Sequence, residues 1–151
     1  MKKISKILNN VQFCDISAKT KHEALVELCG VLANDPRVID PQRFLDALMK
    51  REKVMSTGIG MGVAIPHAKT SAVKDIVIAF GRCKQGINFE SLDGSVVYII
   101  ILIGAPEHKR EEFLNLIAYI GKLFTESDFK QRFLEAEYPS HMVKLVMEEF
   151  S

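Results

Sequence analysis

The apolar positions of this chain change period repeatedly, and each change marks an element. Val11, Phe13 and Ile16 belong to a short run, Val11 to Ile16, that reads as a first strand. Thr20 and Glu23 then stand at the spacing of a capping box, where a hydroxyl and a carboxylate each accept an otherwise unpaired backbone N–H. Ala24, Leu25, Leu28, Val31 and Leu32 follow at helical spacing, and Asn34-Asp35-Pro36 stops the run. Asp40 and Pro41 open a second helix as N-cap and first-turn proline. Its apolar stripe is Phe44, Leu45 and Leu48, and its end near Arg51-Glu52-Lys53 delivers charge to a glycine-rich segment, with Glu52 expected at the surface.

Val63 to Ile65 and Ile76 to Phe80 read as strands, and Asp93-Gly94 as a turn. Val96 to Ile103 is a nearly continuous β-branched run, which a strand covered on both faces requires. Between Glu111 and Phe124, Leu114, Ile117, Ala118 and Gly121 share one helical side, widened by Leu116, Ile120 and Leu123. Phe129 to Ala136 and Ser140 to Phe150 read as closing helices, with Ser140 as N-cap of the last. Helices interspersed with apolar strands predict an α/β sandwich.

Composition narrows the picture mainly by exclusion. The 151 residues show no internal repeat, linker or low-complexity segment, so one domain over 1–151 is expected. With 48% hydrophobic and 26% charged residues, the chain has the profile of an ordinary globule that needs no disulfide or metal to fold. A net charge of +1 and the lack of a basic stripe interleaved with aromatics give no case for nucleic acid or an anionic membrane. Cys14, Cys29 and Cys83 are widely spaced, which fits free thiols in a reducing cytosol. Met1 to Lys6 has the charge of a signal peptide without its apolar segment. The most apolar run, Val96 to Ala105, has about half the length of a membrane-spanning helix, so a cytoplasmic protein without membrane insertion is expected.

The candidate chemistry lies in Thr57 to Ala68. His67 follows Pro66 and an apolar run, at the exit of a loop holding Gly58, Gly60 and Gly62. A neutral imidazole nitrogen is a nucleophile near pH 7, and glycines let backbone N–H groups turn toward an anion. Nucleophile and cradle together suggest a histidine that accepts a phosphoryl group; a Pro-His pair as a mere structural turn is the plain alternative. The glycines lack the G-x-G-x-x-G spacing and the following helix of a dinucleotide loop, and no Walker lysine is present, so a nucleotide-dependent enzyme is discounted. The scattered histidines and cysteines have no metal-ligand spacing, and no metal or other cofactor is expected; His22 and His141 read as surface residues.

Arg51-Glu52-Lys53, Ser56-Thr57-Gly58-Ile59-Gly60 and Gly62-Val63-Ala64-Ile65-Pro66-His67 together resemble the enzyme IIA domains of the fructose–mannitol class in the bacterial phosphoenolpyruvate-dependent sugar phosphotransferase system, a class that includes the nitrogen-regulatory IIA proteins. The resemblance implies a central mixed sheet flanked by helices, with His67 phosphorylated by the phosphocarrier HPr or a paralogue. In that setting Arg51 would stabilise the phosphate by forked, charge-assisted hydrogen bonds, or would simply be a cation at a helix C-terminus. Backbone N–H groups around Gly60 and Gly62 would supply donors, and Pro66 would restrict the ring. Thr57 would donate its hydroxyl to phosphate or else stabilise the loop.

The family commonly places a second histidine before the helix that follows the long central strand. Counting back from Leu114 puts Arg110 there, with His108 two residues earlier, so either would stand in for it or both are solvated loop charges. Two functions then share one chemistry. A regulatory protein would change partners when phosphorylated, because a dianion in an apolar docking rim disfavours partners that bury the rim. A sugar-transport IIA would pass the group to a IIB partner. The Arg51-Glu52-Lys53 and Ser56-Thr57-Gly58 segments look closer to the nitrogen-regulatory branch.

Overall fold

A computed structural model describes residues 12–126 and 128–150 of the chain. The Val11 end of the first strand and the Met1 to Lys6 segment lie outside the described residues. The elements run β1 (Gln12–Asp15), α1 (Lys21–Leu32), α2 (Pro41–Val54), β2 (Gly58–Gly60), β3 (Val63–Ala64), β4 (His67–Lys69), β5 (Val77–Ile87) and β6 (Val97–Ala105). A 3₁₀ turn (Glu107–Lys109) then leads into α3 (Arg110–Glu126), α4 (Phe129–Glu135) and α5 (Pro139–Phe150).

The six strands form one mixed sheet in the order β1-β5-β6-β3-β2, with β4 also pairing to β6. β1 runs parallel to β5, β5 antiparallel to β6, and β3 and β4 parallel to β6. The β-branched run is therefore a central strand, and its alternation serves two cores. Ile99, Ile101 and Ile103 face Phe113, Leu116 and Ile120 of α3 and Phe129 and Phe133 of α4. Ile100 and Leu102 pack in a second core with Leu25, Leu28 and Leu32 of α1 and Phe44 and Leu48 of α2. Each such fully buried side chain contributes about 1.5–3 kcal/mol relative to exposure. This is the α/β fold expected, a mixed sheet with helices on both faces.

Local signals set most helix starts. Thr20 Oγ1 accepts from Glu23 N at 3.2 Å, and Asp40 Oδ1 accepts from Arg43 N at 3.1 Å. Ser140 is not an N-cap: α5 begins one residue earlier at Pro139, whose fixed φ suits a first helical position. The side of α3 turned to the core is also different. Phe113, Leu116, Ile120, Leu123 and Phe124 are buried there, while Leu114 is exposed and Ile117, Ala118 and Gly121 line a groove against Ile59, Met61 and Ile65.

Arg82 on β5 is buried to 1% exposure, which no sequence signal announced. Its guanidinium pairs with Asp15 at 2.7 Å and donates to the carbonyls of Phe133, Leu134 and Ala136 at the end of α4. The Phe133 carbonyl also accepts from Ala136 N at 3.4 Å, and the fork adds donors at this helix end while it pairs with Asp15. Among the cysteines, burial is the largest influence pushing Cys29 and Cys83 up to about 12, and all three thiols are free.

Candidate active site

Pro66 separates two short strands that lie along the same edge of β6. Val63 and Ala64 pair with Ile99 and Ile100, and His67 to Lys69 pair with Ile103 to Ala105. Pro66 has no N–H for the ladder, yet its carbonyl still accepts from Ile103 N at 3.0 Å. His67 is thus the first residue of a strand, rather than a loop residue, and its backbone is fixed by the central strand.

The imidazole is half-buried and held by two contacts. Nδ1 lies 2.7 Å from the carbonyl oxygen of Ile65. A carbonyl only accepts, so in the neutral ring Nδ1 carries the proton and Nε2 carries the lone pair. The Phe113 ring meets the imidazole edge-on, with centroids 5.7 Å apart and 63° between planes. Burial of the ring is the largest influence on its pKa and lowers it from the ordinary histidine value; the bond to Ile65 opposes this, Arg51 lowers it further and Glu52 opposes again. The result is a neutral imidazole at pH 7 with one defined nucleophilic nitrogen.

Both charges acting on His67 come from the end of α2. Arg51 is half-buried and donates from one terminal nitrogen to the Met55 carbonyl at 2.8 Å. That bond satisfies the helix end and leaves the rest of the fork for another acceptor. Glu52 is not at the surface as expected but buried, at 7% exposure. It faces inward because Thr57 donates to it from both N, at 3.1 Å, and Oγ1, while Lys21 of α1 lies 2.9 Å from Oε2. Three donors replace the water that the carboxylate gives up. Thr57 is buried as well, so its hydroxyl serves the loop through Glu52 in this structure.

The glycines shape the β2–β3 hairpin. A Cβ on Gly58 would lie 2.3 Å from Ser91 Oγ, so the strand can approach the 91–93 loop only without a side chain. Gly58 N donates to Ser56 Oγ, and the Gly62 carbonyl accepts from Tyr98 N and Ile99 N. Met61 sits at the tip with φ 57°, its N–H donating to Asp93 Oδ2 and its carbonyl accepting from Lys130 Nζ of α4. The tip is therefore clamped, with the Met61 side chain 55% exposed beside Ile59 at 43%.

Neither candidate for a second site residue is joined to His67. His108 lies in the 3₁₀ turn and Arg110 opens α3, both exposed, and Arg110 is not among the charges acting on the imidazole. The 3₁₀ turn points these residues outward; three positions on, the helix brings Phe113 round to the inner face. Counting back from Leu114 missed this because the residue that faces His67 immediately precedes Leu114. Among the described residues no group of three or more potential metal ligands occurs, and no helix is long and apolar enough to cross a membrane.

The mixed sheet thus carries one half-buried histidine whose ring is oriented by Ile65 and acted on by the Arg51 and Glu52 charges. The family model for the phosphoenolpyruvate-dependent sugar phosphotransferase system, EIIA 2, matches residues 6–149, and the chain belongs to that family. It is 35% identical over 118 residues to a fructose-specific EIIA component of Haloferax volcanii, covering 78% of this chain and 77% of that one. It is 27% identical over 134 residues to a nitrogen regulatory protein of Pseudomonas aeruginosa, covering 89% and 87%. A fructose-specific EIIABC component of Bacillus subtilis is 35% identical over 132 residues, and the match spans 87% of this chain but only 21% of that protein. Among solved structures, IIA-Ntr from Neisseria meningitidis superposes with a TM-score of 0.84 at 25% identity, covering 95% of this chain and 99% of that one. The mannitol IIA in a complex with phosphorylated IIB from Escherichia coli shares the fold, with a TM-score of 0.75 at 20% identity over 92% and 94%.

Proposed function

We propose that this chain is a phosphohistidine carrier, accepting a phosphoryl group on His67 Nε2 from an HPr-like phosphocarrier. The single observation that carries the reading is the bond from Nδ1 to Ile65 O, which leaves Nε2 as the nitrogen with a free lone pair. The lone pair attacks phosphorus as the bond from phosphorus to the donor carrier breaks, and the donor keeps that electron pair. The ring gains positive charge on attack, and Nδ1–H shares it with the Ile65 carbonyl. Arg51 neutralises the incoming phosphoryl group with the part of its fork not used by Met55. Backbone donors of the Gly58 to Gly62 segment and the restraint at Pro66 complete the cradle. The exposed Ile59, Met61 and Leu114 form the apolar rim on which the carrier docks.

The recipient is a regulatory partner in this reading, supported by the likeness to IIA-Ntr over 95% of this chain. A sugar-transport role, with a IIB partner as recipient, is supported by the 35% identity to a fructose-specific EIIA component. Both readings share the first step. Phosphoryl transfer from phosphoenolpyruvate through the general phosphotransferase proteins gives an acid-labile, base-stable label on the wild type and none on His67→Gln. Equal labelling of the two overturns the assignment. Offering the labelled protein a IIB domain separates the recipients: loss of label to IIB supports transport, and retention supports regulation.

A further inference from the structure

Glu52 is a buried carboxylate whose charge acts on His67 and which phosphoryl chemistry does not require. Its surroundings form a continuous hydrogen-bonded path to the nucleophile. Lys21 lies 2.9 Å from Oε2, and Thr57 donates to both carboxylate oxygens. The Thr57 carbonyl then accepts from Ile65 N at 3.0 Å, and the Ile65 carbonyl accepts from His67 Nδ1 at 2.7 Å. We propose that Glu52 is a positioning residue for His67, holding Thr57 and hence Ile65 so that Nδ1 keeps its proton and Nε2 stays open to phosphorus. This rests on the phosphoryl-acceptor reading of His67.

A stabilising role alone explains the arrangement poorly. Desolvation offsets most of the attraction in a buried ion pair, so the pair with Lys21 adds little net stability while fixing where its donors sit. What it fixes is specific. The carboxylate ties the end of α2 to the start of β2, and Lys21 ties in the first turn of α1 while its ammonium lies 4.8 Å from the Phe89 ring centre. Thr57 and Ile65 are thereby joined across the hairpin, and the residue whose carbonyl faces the imidazole is held in place through its own N–H. Glu52 also acts on His67 through its charge, favouring the imidazolium form against Arg51. The other elements packed on the ring add no competing charge: α3 presents Phe113, and Lys69 of β4 is paired with Glu107 at 3.7 Å.

Glu52→Gln in the full chain tests this. The amide has nearly the same shape, but its NH₂ cannot accept from Thr57 or Lys21. Phosphoryl transfer from the phosphocarrier is expected to lose about tenfold in kcat with KM for the carrier unchanged, as misplacement without lost docking requires. Nitrogen-15 NMR of the unphosphorylated protein is expected to show His67 leaving the single Nδ1–H tautomer, with its pKa lowered further by loss of the anion. Thr57→Val is expected to reduce kcat in the same direction and Thr57→Ser to retain it, which reads the path even where Glu52→Gln fails to fold. Wild-type kcat and an unchanged tautomer in a folded Glu52→Gln overturn the proposal. A wild type that takes no label overturns the carrier reading instead, while the tautomer measurement still decides the role of Glu52.

Discussion

Phe113, fully inside the first turns of α3, turns the edge of its ring to His67 at 5.7 Å. The wall beside His67 is therefore an aromatic hydrocarbon with nothing to titrate, and it contributes to the burial that lowers the imidazole pKa. Phe113→Ala removes both the contact and the cover. It is expected to lower stability by about 3–5 kcal/mol through the cavity left in the core, and to move the His67 pKa up toward the ordinary histidine value. Urea unfolding and an NMR titration of His67 check the two effects separately; an unmoved pKa would show that Phe113 is not what keeps the ring dry.

The lowered pKa sets the pH behaviour of the site. Nε2 stays unprotonated below the pH at which a free histidine is half-charged, so phosphoryl acceptance is expected to be level through pH 7 and to fall only below the ordinary histidine range. For stability, the unfolded chain binds more protons than the folded one between the folded pKa and the ordinary value. The contribution of His67 is complete above the ordinary histidine pKa and is lost as pH falls toward the depressed one. Rate–pH profiles and unfolding at matched pH values, against His67→Gln, check both signs.

Met61 is held at the hairpin tip by Asp93 and Lys130, and its side chain faces outward beside Ile59. An order of this kind presents an apolar knob at little entropic cost. Met61→Asp is expected to raise KM for the phosphocarrier about tenfold with kcat little changed. A steady-state assay at several carrier concentrations reads the split, and a fall confined to kcat would remove Met61 from the docking rim.

Gly58 has no room for a methyl group, since a Cβ there would meet Ser91 Oγ at 2.3 Å and Ser91 Cα at 3.0 Å. Gly58→Ala is expected to cost about 1–3 kcal/mol through overpacking, whereas a Cβ on Gly30 meets nothing within 4 Å, and Gly30→Ala is expected to be neutral or better. Urea midpoints of the two variants give the comparison directly.

The sequence made the layered fold legible because its signals are local. Thr20 and Asp40 cap their helices as their spacing implies, and the β-branched run from Val96 has the composition that a strand covered on both faces requires. The motif around His67 was equally legible, since it is contiguous. What stayed hidden depends on contacts between distant residues. Glu52 reads as a charged helix end until Thr57 and Lys21 supply its donors, and nothing in the local sequence marks Arg82 as buried before Asp15 and the end of α4 enclose it. His108 falls in the 3₁₀ turn and Arg110 at the first position of α3, both exposed, and it is Phe113, one residue before Leu114, whose ring meets the imidazole. The apolar side of α3 divides in the same way: Leu116, Ile120 and Leu123 enter the core, while Ile117, Ala118 and Gly121 line a groove beside the hairpin, and apolar spacing alone does not separate the two.

The claim on which the rest depends is that His67 Nε2 is the phosphoryl acceptor. Nitrogen-15 histidine labelling of the phosphorylated protein, read for coupling between phosphorus and each ring nitrogen, tests it most directly. The account predicts phosphorus coupled to Nε2 of His67, with Nδ1 still protonated against Ile65. Coupling to Nδ1, or to His22, His108 or His141, would contradict it.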